Sequence, residues 1–157
     1  MQRMATCLWF DGRAEEAMKF YTSVFKNSKT GTVTRYGDAG PGEKGSVMTA
    51  SFEVNGHEFL GLNGGPEYTF SHAISMIVYC DTQEEIDDLW DKLCDGGEPV
   101  QCGWLKDKFG LSWQIVPSIV PRLISDKDPA RTDRVMKAIF QMVKLDIKRL
   151  KEAYGQG

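Results

Sequence analysis

The sequence predicts an α+β fold in which a strand–helix–strand–strand–strand (βαβββ) unit occurs twice and is followed by a C-terminal helix. Three observations predict it. Short apolar or β-branched runs are punctuated by Gly, Asn and Asp; two amphipathic helical segments each follow such a run; and the two halves match at a shift of 69 residues.

The elements follow in order. Met4 to Phe10 reads as a strand closed by Asp11-Gly12. Arg13 to Phe25 reads as a helix, with Ala17, Phe20, Tyr21 and Val24 at helical spacing and Glu15 and Glu16 in the first turn, where the helix dipole favours acids. Thr30 to Tyr36 is a β-branched strand, and Gly37 to Gly45 a flexible loop. Ser46 to Val54 alternates, with Met48, Ala50, Phe52 and Val54 on one face. Asn55-Gly56 is a strong hairpin signal, and His57 to Asn63 is the returning strand. After Gly64-Gly65-Pro66 the order restarts. Ala73 to Cys80 reads as a strand and Asp81 to Cys94 as a helix with Ile86, Leu89, Trp90 and Leu93 on one face. Pro99 to Leu105 and Leu111 to Val116 read as strands joined at Asp107-Lys108-Phe109-Gly110.

The 69-residue shift places Glu15 on Glu84, Glu16 on Glu85, Tyr21 on Trp90 and Val24 on Leu93, and lays Leu8-Trp9-Phe10 on Ile77-Val78-Tyr79. Residues 1–117 are therefore expected to form one domain, with repeat one at about 4–64 and repeat two at about 72–117, and residues 118–157 a helical extension. In that extension Asp128-Pro129 starts a helix as N-cap and first-turn proline, expected to continue to Tyr154. Its stripe is Met136, Phe140, Val143, Ile147, Leu150 and Tyr154, widened by Val135, Ile139 and Met142. An arc that wide predicts partial cover of the repeat domain and partial contact with a second subunit, hence a homodimer formed partly through this helix.

Composition excludes several classes. The chain has 157 residues, 41% hydrophobic and 26% charged, with 8 Phe, 5 Tyr and 4 Trp, which is a folding rather than a disordered composition. With 19 basic and 22 acidic side chains the formal charge is −3, against nucleic acid as a partner. No run approaches the roughly 18 apolar residues of a membrane span, and no cleavable signal pattern opens the sequence, so a cytoplasmic protein without a membrane partner is expected. Cys7, Cys80, Cys94 and Cys102 lack C-x-x-C spacing and read as reduced core thiols, with Cys102, outside any apolar run, the one expected to be exposed.

Other motifs carry less chemistry than their letters suggest. Gly40-Pro41-Gly42-Glu43-Lys44-Gly45 matches G-x-G-x-x-G, but the segment after it alternates as a strand, whereas a phosphate loop must open a helix. No serine lies in a G-x-S-x-G elbow. Of two histidines, His57 follows the hairpin turn and is expected to be exposed, while His72 precedes the second repeat's first strand, where a pocket-edge role is open to it. Trp113 reads as core, and Gly103-Trp104 as a candidate pocket wall.

The segments Leu8-Trp9-Phe10-Asp11-Gly12, Phe20-Tyr21, the run Gly103 to Pro117 (GWLKDKFGLSWQIVP) and Gln141 to Ile147 carry a resemblance to the vicinal-oxygen-chelate superfamily of glyoxalases, bleomycin-resistance proteins and extradiol dioxygenases. Within it the chain is most similar to the "3-demethylubiquinone-9 3-methyltransferase", phosphonate-operon B-like, group. The resemblance implies curved mixed sheets enclosing a pocket. It also implies that the ligand positions of metal-using relatives fall on Thr6, Ser75, Gln114 and a residue near Gly61 or Asn63. Those residues lack carboxylates, so no metal and no cofactor is expected. A methyl donor usually sits at a glycine-rich strand-to-helix turn, which this sequence does not offer.

Strand alternation then predicts a binding site of Thr6, Leu8 and Phe10 from repeat one, Ser75, Ile77 and Tyr79 from repeat two, Ser112 and Gln114 from the last strand, and Asn63, His72 and Trp104 at the rim. The expected function is metal-free binding of an unidentified small molecule, as in a sequestering protein. The alternative is an enzyme, using His72 as general acid or base or performing the group's methyl transfer. A structural module, with a filled interior, is the third class.

Overall fold

A computed structural model of the chain describes residues 1–155, in two units, one spanning Met1–Phe70 and one beginning at Ser71. The last two residues of the expected helical extension, 156 and 157, lie outside the described residues.

The first unit runs β1 (Thr6–Phe10), α1 (Ala14–Val24), β2 (Ser28–Arg35), β3 (Val47–Val54), β4 (His57–Asn63). The strands form one sheet in the order β1-β4-β3-β2, with β1 parallel to β4 and the other pairs antiparallel. Asn55 at φ 50° and Gly56 at φ 79° supply the two left-handed residues of a tight hairpin turn, which sets Val54 opposite His57. The amphipathic face of α1 lies on the sheet: Tyr21 stacks on Phe52 at 5.7 Å between ring centres, and Phe52 stacks on Phe59 at 5.0 Å. A Cβ on Gly61 would come within 3.1 Å of the Ala14 methyl, so helix and sheet approach closely there. Residues 36–46 join β2 to β3, two antiparallel neighbours. The G-x-G-x-x-G letters are thus a strand-to-strand connection, held by the backbone pairing of Tyr36 with Gly45 and Ser46.

The second unit runs β5 (Ser75–Cys80), α2 (Gln83–Cys94), β6 (Glu98–Pro99), β7 (Trp104–Lys106), β8 (Ser112–Pro117), α3 (Val120–Ile124), α4 (Pro129–Phe140), α5 (Ile147–Gly155). Its sheet order, β5-β8-β7-β6, repeats that of the first unit, with β5 parallel to β8. Thr82 and Glu85 form a reciprocal capping box that starts α2, and the buried Ile86, Trp90 and Leu93 lie on its inner face, as their spacing predicts. In the turn at 107–110, buried Asp107 accepts from the Phe109 and Leu111 amides through Oδ1 (2.9 and 3.1 Å) and from the Trp113 indole through Oδ2 (2.9 Å).

Two expectations are corrected here. The strand expected from Pro99 to Leu105 is broken into β6 and β7, because Cys102 (φ 63°) and Gly103 (φ 83°) are left-handed in succession, which turns the chain out of the extended conformation. The helix expected to run to Tyr154 stops at Phe140 and resumes at Ile147. Between them the carbonyls of Met142 and Val143 accept from Cys102 N and Gly103 N, so they are withdrawn from any helical ladder. Asp128 does cap α4, accepting from Ala130 N, with Pro129 in the first turn. The break also rotates the apolar stripe. Val135, Ile139, Met142, Leu145 and Leu150 form a core with Val116, Val120 and Leu123, while Phe140 and Val143 are exposed.

Candidate functional site

Residues paired across a ladder project to the same side of a sheet, so the registers decide which side chains α1 and α2 cover. In the second unit, Val78, Ile115 and Leu105 share the covered side with α2. The opposite, open side carries the row Ile77–Gln114–Trp104 and beside it Ser75–Ser112–Lys106, with Tyr79 next to Val116. Ser75, Tyr79, Ser112, Gln114 and Trp104 therefore lie on one face, as alternation predicts.

In the first unit the alternation is reversed from expectation. Thr6, Leu8 and Phe10 pair with Phe59, Gly61 and Asn63, and these pair onward with Phe52 and Ala50, on the side covered by α1. Leu8 and Phe10 are 3% and 4% exposed and belong to the core. Thr6 instead meets exposed His57, its Oγ1 2.9 Å from Nε2. The reason is one residue of linker. Three residues, 11–13, join β1 to α1, but only two, 81–82, join β5 to α2. A 69-residue shift superposes the helices, while the strands superpose at 70, and a one-residue slip moves every side chain to the other face. Matching Asp11 to Asp81, the acids that follow each strand, would have revealed the difference.

The open face of the first unit therefore carries residues the sequence argument missed. The row Cys7–Leu60–Ser51 is the counterpart of Ile77–Gln114–Trp104, and Trp9 the counterpart of Tyr79. Trp9 is anchored by its indole N–H to the Gly65 carbonyl at 2.8 Å and meets Tyr68 edge-on. At one end of this face a groove of about 360 Å³ is lined by Ser51, Leu60, Ala5 and the ion pairs Arg3–Glu58 and Lys29–Glu53.

Asn63, expected at the rim, has a structural task. Its Oδ1 accepts from Ala14 N at 2.9 Å and its Nδ2 donates to the Val47 carbonyl at 3.0 Å. It caps α1 from a neighbouring strand, in place of Arg13, whose side chain makes no cap.

The polar atoms of the second unit's open face are linked in pairs. His72 Nδ1 lies 3.0 Å from Ser112 Oγ, and the His72 ring meets Trp104 edge-on at 6.0 Å. Gln114 Nε2 donates to Ser75 Oγ at 2.9 Å. Ser112 is fully buried, so it orients the imidazole rather than meeting a ligand itself. That leaves the Gln114 carbonyl as acceptor, the Ser75 hydroxyl as donor and His72 Nε2 as either. Tyr79 and Ile77 are 57% and 48% exposed beside them.

These residues do not fit a divalent cation. Among the described residues no three His, Cys, Asp or Glu side chains gather into a candidate metal site. Of the positions carried over from metal-using relatives, Thr6 and Asn63 point to the helix-covered side and Asn63 is spent on the α1 cap, which leaves hydroxyl and amide groups.

The thiols differ from expectation at one point. Cys7 is the exposed one, whereas Cys102 packs against the tail core. Buried Cys80 is pushed up to about 11 by desolvation, with the Glu85 and Asp81 charges adding to the effect. The unfolded thiol ionises near 9.0, so the folded form loses stability as pH rises from there to about 11. Urea midpoints measured across that range are expected to fall more steeply for the native chain than for Cys80→Val.

The family described as 3-demethylubiquinone-9 3-methyltransferase matches residues 2–116. The PhnB protein of Bacillus cereus is 41% identical, with 74% of this chain and 99% of that one covered and a TM-score of 0.67. The chain belongs to this family. The fold is that of the vicinal-oxygen-chelate superfamily, and two more distant structures show the fold alone. A Pseudomonas aeruginosa protein is 18% identical over 74% of this chain and 98% of its own, at TM-score 0.62. The fosfomycin resistance protein FosX of Listeria monocytogenes, in complex with Mn(II) and sulfate, is 13% identical over 78% and 94%, at TM-score 0.53. No curated protein matches the chain. The family match stops at residue 116, before α3, α4 and α5. Among the described residues no helix is long and apolar enough to cross a membrane.

Proposed function

We propose that this family member binds a small organic molecule on the open face of its second sheet, without a divalent metal. The observation that carries this is the row Ile77–Gln114–Trp104, flanked by Tyr79, Ser75 and His72. It is an apolar and aromatic surface holding a few hydrogen-bonding atoms with unused capacity. Such a surface suits a ligand with a flat apolar body and a polar group that both donates and accepts. Exposed Phe140 and Val143 support a homodimer in which the tail takes part.

Native mass spectrometry of protein purified without chelator, followed by denaturing analysis, tests the reading. A released organic molecule without stoichiometric metal is expected. Rebinding of that molecule to Gln114→Leu should be at least about tenfold weaker, the effect of one lost hydrogen bond in a desolvated site. Stoichiometric Mn, Fe, Ni or Zn would overturn the metal-free reading, and the absence of any saturable small-molecule binding would overturn the whole.

A second reading, acid–base catalysis, is favoured by the His72–Ser112 hydrogen bond, which holds the imidazole of exposed His72 through Nδ1. Turnover of the released molecule that disappears in His72→Gln would establish it. Binding of S-adenosylmethionine would instead support the methyl transfer named in the family's description.

A further inference from the structure

The turn at residues 101–103 places two left-handed residues in succession, a conformation that Cys102, carrying a Cβ, adopts only at a steric cost. Something outside the turn must hold it. Cys102 N donates to Met142 O at 2.8 Å and Gly103 N to Val143 O at 2.7 Å. Leu145 closes over Gly103 so tightly that a Cβ there would lie 2.9 Å from Leu145 Cγ and 3.1 Å from the Ile115 carbonyl. The turn leads directly into Trp104, whose N–H donates to Gln101 O, and Gly103 O accepts from Ile115 N on β8.

The segment 142–145 is itself tied down. Gln83, at the start of α2, donates from Nε2 to Leu145 O at 3.1 Å and accepts at Oε1 from Ile147 N at 2.9 Å, in the manner of a strand partner. Lys144 pairs with Asp87 at 2.8 Å, which holds the Asp87 carboxyl below its ordinary range. Met142 and Leu145 are each 2% exposed in the tail core.

We propose that residues 142–145 are a strap that positions Trp104, making the C-terminal segment part of the binding face rather than an appendage to it. Leu145 and Gln83 are its positioning residues, acting through the 101–103 turn on the indole that lies against His72. The strap lies beyond residues 2–116, the span matched by the family. Its bearing on ligand selection rests on the reading above; its effect on Trp104 does not.

The chain has two histidines, which makes the test direct. His72 meets Trp104, and His57, in the other unit, meets Phe59 at 4.7 Å between ring centres. Imidazole and indole proton signals of the full chain are recorded for the native protein, Gln83→Leu and Leu145→Ala, with no ligand added. His72 ring signals and the Trp104 indole N–H are expected to shift in both variants, while the His57 signals stay in place. If His72 and Trp104 signals are unmoved in both, the strap does not set the indole and the proposal fails, whether or not amide exchange shows residues 142–145 released. Should Leu145→Ala unfold, displacing His57 as well, Gln83→Leu decides alone, because it removes three side-chain hydrogen bonds, to Leu145, Ile147 and Asp87, and no core side chain. A face that binds no small molecule would overturn the proposed function and leave this result intact.

Discussion

Leu8→Asp is expected to unfold the first unit, whereas Cys7→Asp, one residue earlier on the same strand, is expected to leave it folded. Leu8 is 3% exposed beneath α1, so the substitution removes a core side chain and buries a carboxylate with no partner, together costing on the order of 4 kcal/mol or more. A domain of this size has only about 5–15 kcal/mol to lose. Cys7 is exposed on the open side, where a charge changes stability by about 0.5 kcal/mol or less. In the second unit Ile77→Asp should be tolerated in the same way, since Ile77 is 48% exposed. Urea unfolding followed by circular dichroism reads all three. If Leu8→Asp were tolerated and Cys7→Asp not, the faces of the first sheet would be the reverse of those described.

The second large effect lies at Asp107. Asp107→Ala leaves the Phe109 and Leu111 amides and the Trp113 indole without their acceptor, in a turn where the carboxylate is 3% exposed. Unsatisfied buried donors cost about 1–3 kcal/mol each, and with partial relaxation the expected loss is about 3–5 kcal/mol. Asp107→Asn keeps an acceptor for the backbone amides and turns its NH₂ toward the indole N–H, so about 1–2 kcal/mol is expected. The denaturation midpoint should fall in that order with an unchanged m-value. Equal losses for the two variants would mean that the charge, rather than the hydrogen-bond geometry, holds the turn.

Which side chains share the face opposite the helix was legible in one unit and not in the other, for a reason that concerns counting. Period-2 alternation separates the two sides of a strand but does not say which side a helix will cover. In the second unit the strand registers place Ser75, Tyr79, Gln114 and Trp104 together on the face opposite α2. For β1 the same logic was carried across at the helices' shift, and the extra linker residue among 11–13 inverted it, placing Leu8 and Phe10 in the core and leaving Cys7, Trp9, Leu60 and Ser51 unnamed. Asn63 had no local signal for its role at all. Its amide serves Ala14 and Val47, residues 49 and 16 positions away, and only the folded sheet brings them together.

What the sequence determined by itself was local in origin. Asn55-Gly56 specifies its hairpin through backbone conformations that few residues adopt, Thr82 and Glu85 start α2 through a reciprocal cap, and Asp128-Pro129 starts α4, while the doubled order of elements follows from their periodicities. Tertiary structure alone decided which face of the first sheet was covered, because docking α1 resolves an ambiguity of a single residue. It alone decided where the C-terminal helix broke, too. The carbonyls of Met142 and Val143 are bound by amides 40 residues earlier in the chain, Cys102 and Gly103, and the long-range pairing and buried Leu145 outweigh the helical periodicity that runs through them.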